Sequence, residues 1–148
     1  AHSFPTRRSS DLLLAFSKPE VCSKFFREFY RQVDEDGSLF EMVNYLPMLW
    51  PNARVQNAVA TVNSIIDIIF EKPKENSSLI VEVLMRLEKP NVLDRIRESL
   101  YTGKTGQIKE ALDLIENLSL QDEFEDDLMR LGSSNPAFTE QIQIIMAK

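Results

Sequence analysis

The chain has 148 residues, 17 basic against 23 acidic, and 43% of them are hydrophobic. That apolar share is enough for a folded core and excludes a disordered chain, and the length suits one domain or part of a repeat array. A net charge of −6 with scattered lysines and arginines disfavours nucleic acid, and no apolar run reaches the ~20 residues of a membrane span.

The first segment stands apart. His2–Leu12 reads His-Ser-Phe-Pro-Thr-Arg-Arg-Ser-Ser-Asp-Leu and resembles, codon by codon, the translation of a sequencing-adapter oligonucleotide. It is therefore set aside from fold reasoning. Without it the chain holds 15 basic and 22 acidic residues, a net charge of −7, and loses its only histidine, His2. Residues 1–12 are expected to be artefactual, and residues 13–148 to form a helical-repeat domain that is a fragment of a longer protein.

Beyond it, apolar residues recur at helical spacing to the end of the chain. Pro19 suits the first turn of a helix entered from Ser17; Val21, Phe25, Phe29 and Val33 form its stripe, with Cys22, Phe26 and Tyr30 beside it, and Asp34-Glu35-Asp36-Gly37 stops it. Ser38 with Glu41 reads as a capping box for a second helix that Pro47 and Pro51 end. Asn52 should cap a third, with Val55, Val59, Val62, Ile66 and Ile69 inward, closed by Lys72-Pro73. A fourth begins near Ser78, buries Ile80, Val83, Leu84 and Leu87, and closes at Lys89-Pro90.

Asn91 is the expected cap of a fifth helix carrying Leu93, Ile96 and Leu100, and Gly103 and Gly106 bracket the turn that follows. The sixth carries Ile108, Ala111, Leu112, Ile115 and Leu118. The seventh carries Leu120, Phe124, Leu128 and Leu131, with Gly132 as its C-cap. Asn135-Pro136 starts the last, with Phe138, Ile142 and Ile145 inward. Short links predict antiparallel neighbours, and a hairpin period of ~35–40 residues lies in the range of helical solenoids.

Two segments carry a resemblance. Gly106-Gln107-Ile108-Lys109-Glu110-Ala111-Leu112-Asp113-Leu114-Ile115-Glu116-Asn117-Leu118 resembles a HEAT repeat, and Pro51-Asn52-Ala53-Arg54-Val55-Gln56-Asn57-Ala58-Val59 is similar to the turn and helix start of another. Asn52 stands where that family prefers Asp and Gln56 where it prefers Arg, so its Asp–Arg ladder is not available there. The resemblance to HEAT/armadillo-like proteins implies an all-α solenoid of about seven or eight helices, stacked as antiparallel hairpins, and a scaffold rather than a catalyst. A tetratricopeptide-like array or a closed bundle would fit the same periodicity.

The chemical motifs are incomplete. Gln32–Val43 has the acidic and glycine positions of a calcium loop, but Val43 stands where the closing bidentate carboxylate is needed. Thr102-Gly103-Lys104-Thr105 lacks the upstream glycine and strand of a phosphate-binding loop. Asp122, Glu123, Glu125, Asp126 and Asp127 read as a solvated face that favours a helix start. Cys22 has no histidine to activate it and reads as a small core residue; a single cysteine suits a reducing, cytoplasmic setting.

No catalytic, cofactor or metal residues are therefore assigned. The expected function is a non-catalytic protein–protein interaction or scaffold module, with a cytosolic regulatory segment of a larger enzyme or membrane transporter as the alternative. Its partner would be another protein or another domain of the same longer chain. Tyr45 and Trp50, from the aromatic-rich first hairpin, are the residues singled out for partner contact.

Overall fold

The computed structural model describes residues 19–32, 38–75 and 77–148. Every element among them is helical: α1 (Pro19–Arg31), α2 (Ser38–Glu71), α3 (Ser77–Thr102), α4 (Thr105–Asn117), α5 (Glu125–Ser134), a 3-10 turn (Pro136–Phe138) and α6 (Thr139–Met146). The acidic stop at residues 34–36 and the whole of residues 1–18 lie outside the described residues, as do the side chains of the Ser38–Glu41 capping box.

Two of the helices are bent, and the bends turn six α-helices into eight helical segments. In α2 the break falls at Asn57 (φ −173°, ψ 89°). The Asn57 amide oxygen accepts the Ala60 N–H at 3.0 Å, which satisfies an orphan donor of the segment that follows. The cap is thus Asn57, not Asn52. Pro47 and Pro51, expected to end the second helix, lie inside the helical run. Both are exposed, so water can meet the carbonyls that their missing N–H groups leave unpaired.

In α3 the break falls at Glu88 (φ −145°, ψ 55°). Pro90 then sits in the first turn of the second segment, where a missing N–H costs nothing, so the segment starts before the expected cap Asn91. Lys72-Pro73 closes α2 as expected.

The chain divides into two compact units, one ending at Val92 and one running from Leu93 to Lys148. In the first, α1 packs on α2. Phe26, Phe29 and Tyr30 of α1 and Val62, Ile65, Ile66 and Ile69 of α2 are buried, as are Ile80, Val81 and Leu84 of α3. The α1 stripe matches expectation in part: Phe29 is buried, as are Phe26 and Tyr30 beside it, whereas Val21 is exposed. Val59, expected inward, is 54% exposed; it lies just beyond the Asn57 break, which resets the phase of the apolar face.

In the second unit, Ile96, Leu100, Ile108, Leu112, Ile115, Phe124, Leu128, Ile142 and Ile145 form the core, and α6 packs on both α4 and α5. The end of α4 is a Schellman motif. Ser119 takes a left-handed φ of 54°, its N–H donates to the Glu116 carbonyl at 3.2 Å, and the Leu120 N–H donates to the Ile115 carbonyl at 2.9 Å. Leu120 is therefore part of the stop of α4 and not of the helix after it. Gly132 lies within α5, and Asn135 ends that helix, which corrects the expected glycine cap. Gly103 does serve the turn after α3: a Cβ there would lie 2.3 Å from the Ser99 carbonyl oxygen.

Candidate functional site

The first unit contains a cleft of about 500 Å3 between α1 and the C-terminal end of α2, lined by Arg27, Glu28, Tyr30, Arg31, Ile68, Glu71, Lys72 and Lys74. Among the described residues, four cations and two carboxylates thus meet in a chain whose overall charge is negative. The helical repeat puts Arg27 and Arg31 one turn apart on the same side of α1. The end of α2 and the loop after it bring Glu71, Lys72 and Lys74 to face them.

The back of the cleft is fixed by hydrogen bonds. The Tyr30 hydroxyl donates to the Lys72 carbonyl at 2.9 Å and lies 2.6 Å from the Ser77 hydroxyl, which in turn accepts the Lys74 N–H at 2.9 Å. With the tyrosine proton on the carbonyl, the serine proton points to the phenol oxygen, and each group in the chain is satisfied. The Lys74 ammonium donates to the Tyr30 carbonyl at 2.5 Å and to the Arg31 carbonyl at 3.2 Å. It thereby meets the negative end of the α1 dipole and lies 4.8 Å above the Tyr30 ring.

The rim is held more loosely. Arg27 bridges to Glu71 at 2.5 Å, with the two side chains 57% and 61% exposed. Arg31 pairs with Glu28 at 2.7 Å, and that hydrogen bond, more than the charge itself, holds the Glu28 carboxyl below its ordinary range. Exposed pairs of this kind contribute little, so an incoming carboxylate can compete for either guanidinium.

Two further clusters are structural ties. Glu88, buried at the break of α3, accepts the Trp50 indole N–H at 3.0 Å, the Arg54 guanidinium at 3.0 Å and the Asn91 amide at 3.1 Å. Asp127 in the second unit accepts the Tyr101 hydroxyl at 2.6 Å and the Arg97 guanidinium at 3.1 Å. The hydrogen bond to Asp127 stabilises the neutral phenol and pushes the Tyr101 hydroxyl above its usual range. Glu110 is also raised, chiefly by burial and then by the neighbouring Asp113 charge.

Of the two residues singled out for partner contact, Trp50 is 3% exposed and committed to Glu88, which accounts for it as a core residue. The Tyr45 and Cys22 side chains lie outside the described residues, as does the middle of the calcium-like loop. In the acidic run, Asp127 is tied to Arg97 and Tyr101, while Asp122, Glu125 and Asp126 face solvent.

Lys104 is exposed beside a helix-to-helix turn. Among the described residues no group of three or more His, Cys, Asp or Glu side chains is placed to hold a metal ion, and no helix is long and apolar enough to cross a membrane. The basic cleft was not foreseen. Its only trace in the sequence is the pair Arg27 and Arg31 one turn apart and the Glu71-Lys72-Pro73-Lys74 string. No protein-family model, curated protein or solved structure matches the chain.

Proposed function

We propose that this chain is a non-catalytic protein–protein interaction or scaffold module, built from HEAT-like helical hairpins stacked as an α-solenoid. The observation that carries the reading is how two carboxylates are used: the buried Glu88 and the part-buried Asp127 each bind side chains of a second helical segment. Such groups are engaged in holding helices together. Further support comes from the apolar faces, which pack helix on helix, and from the bends at Asn57 and Glu88, which convert long helices into hairpin-sized segments. Each unit, tied in this way, presents a preformed surface, which lowers the ordering cost of binding.

The test is selection of a displayed library of natural protein segments against the full chain. The expected result is enrichment of segments that bind saturably and protect described helices from hydrogen exchange. Failure to enrich any segment, combined with turnover in a broad hydrolase and transferase panel, would overturn the reading.

A further inference from the structure

We infer that the cleft between α1 and the end of α2 is a docking site for an acidic segment of a partner protein. The inference rests on the interaction-module reading and adds the chemistry of the partner.

Charge supplies the first argument. Arg27, Arg31, Lys72 and Lys74 outnumber Glu28 and Glu71 in the lining, although acidic residues dominate the chain as a whole. A local positive field on an acidic protein attracts anionic ligands to that place and repels them elsewhere.

The layout of those charges supplies the second. Two cations lie along α1 and two follow the end of α2, with the buried Ile68 and the Tyr30 ring between them. A small anion needs donors that converge on one point. Cations on two sides of the cleft suit an extended chain whose carboxylates reach both rims. Guanidinium forks also match carboxylates in a two-bond geometry.

Preorganisation supplies the third argument. Tyr30 is pinned by Lys72 and Ser77 and lies beneath the Lys74 ammonium, so the floor does not have to form on binding. By contrast Arg27 and Glu71 make an exposed pair across the opening. A partner carboxylate that replaces Glu71 on Arg27 exchanges one exposed ion pair for another, at little cost, and the exposed Lys72 lies beside it for a second contact.

The experiment is fluorescence anisotropy with the full chain and a labelled peptide of alternating Glu and Leu, with a Gln-for-Glu peptide, inorganic phosphate and anionic vesicles as comparison ligands. The expected result is saturable, salt-sensitive binding of the acidic peptide alone, weakened about tenfold or more in the double variant R27E/K72E. Both positions are exposed, so the variant should keep its helical circular dichroism and melting temperature; if it does not, K72E alone is read against the same threshold. Equal affinity for the Gln peptide, binding unchanged in a folded charge-reversal variant, or binding only of phosphate or vesicles would overturn the inference. If library selection yields protein ligands that ignore this cleft, the acidic-segment inference falls and the interaction-module reading stands.

Discussion

The two units solve the same joining problem with the same device in different settings. In the first, Trp50 and Arg54, four residues apart on α2, grip Glu88. In the second, Arg97 and Tyr101, four residues apart on α3, grip Asp127. An aromatic donor and an arginine one turn apart on one helix close on a carboxylate from another helical segment. The settings differ in what else supports the carboxylate. Glu88 sits at a helix break with its side chain 6% exposed, so its donors must replace all the water it has lost. Asp127 lies in the first turn of the unbroken α5, where the helix dipole also favours it, and its side chain keeps a little more solvent, 12% exposed. The comparison teaches that a buried carboxylate at a break depends on its clamp, whereas one at a helix start has a second source of support.

Core truncation should have the largest effect and serve as the yardstick for both units. Phe26→Ala in the first and Ile115→Ala in the second are expected to cost ~2–5 kcal/mol each in urea denaturation, because both side chains are fully buried. A negligible loss at either site would place the wrong face inward.

The clamps come next. Glu88→Ala leaves the buried indole N–H of Trp50 without its acceptor and should cost ~1–3 kcal/mol. Asp127→Ala should cost less, on the order of 1 kcal/mol, because the Arg97 and Tyr101 groups that it frees can reach solvent. Equal costs would erase the distinction between the two settings.

Smaller effects come from the backbone. Ser119→Gly relieves a left-handed residue in the Schellman stop and should stabilise the chain by about 0.5–1 kcal/mol. Gly132→Ala should give a similar gain, since an added Cβ meets only Ile142, at 3.6 Å. Gly103→Ala should instead destabilise, because its Cβ would collide with the Ser99 carbonyl.

The pH dependence separates the clamps further. Tyr101 has a raised folded-state pKa, and the bonded form is the protonated one. Its contribution is therefore complete below the ordinary tyrosine pKa and is lost as pH rises through the folded value. Ultraviolet titration of the phenol should show a tyrosine ionising above the ordinary range in the native chain, and Tyr101→Phe should abolish that step. A native chain with all phenols titrating normally would contradict the Asp127 bond.

Much of the helical architecture was legible in the sequence because burial at three- and four-residue spacing leaves a periodic trace. Ile80, Val83, Leu84, Ile108, Ala111, Leu112 and Ile115 were placed inward from that trace and are buried. Where the reading slipped, a local rule was overridden. Pro47 and Pro51 break helices by intrinsic preference, yet on an exposed face they were absorbed, and the break moved to Asn57, whose side chain could cap what followed.

The cleft and both clamps were not legible, for a different reason. Lys74 meets Tyr30 across 44 residues of sequence, and Trp50 meets Glu88 across 38. No spacing rule spans such separations without a fold to measure them in. What the sequence did carry was half of each device: an arginine and an aromatic, or two arginines, one helical turn apart. Trp50 stands out in the sequence for its aromatic ring, and the fold supplies what spacing could not, the Glu88 partner of its indole N–H.

The most direct measurement is a double-mutant cycle on Trp50→Phe and Glu88→Gln, read by urea denaturation of the full chain. If the carboxylate clamp ties α2 to the break in α3, the two substitutions should be coupled by about 1 kcal/mol, within the range found for contacting polar pairs. Strictly additive losses would mean that Trp50 and Glu88 stabilise the chain independently, and that the tie on which the preformed frame depends does not exist.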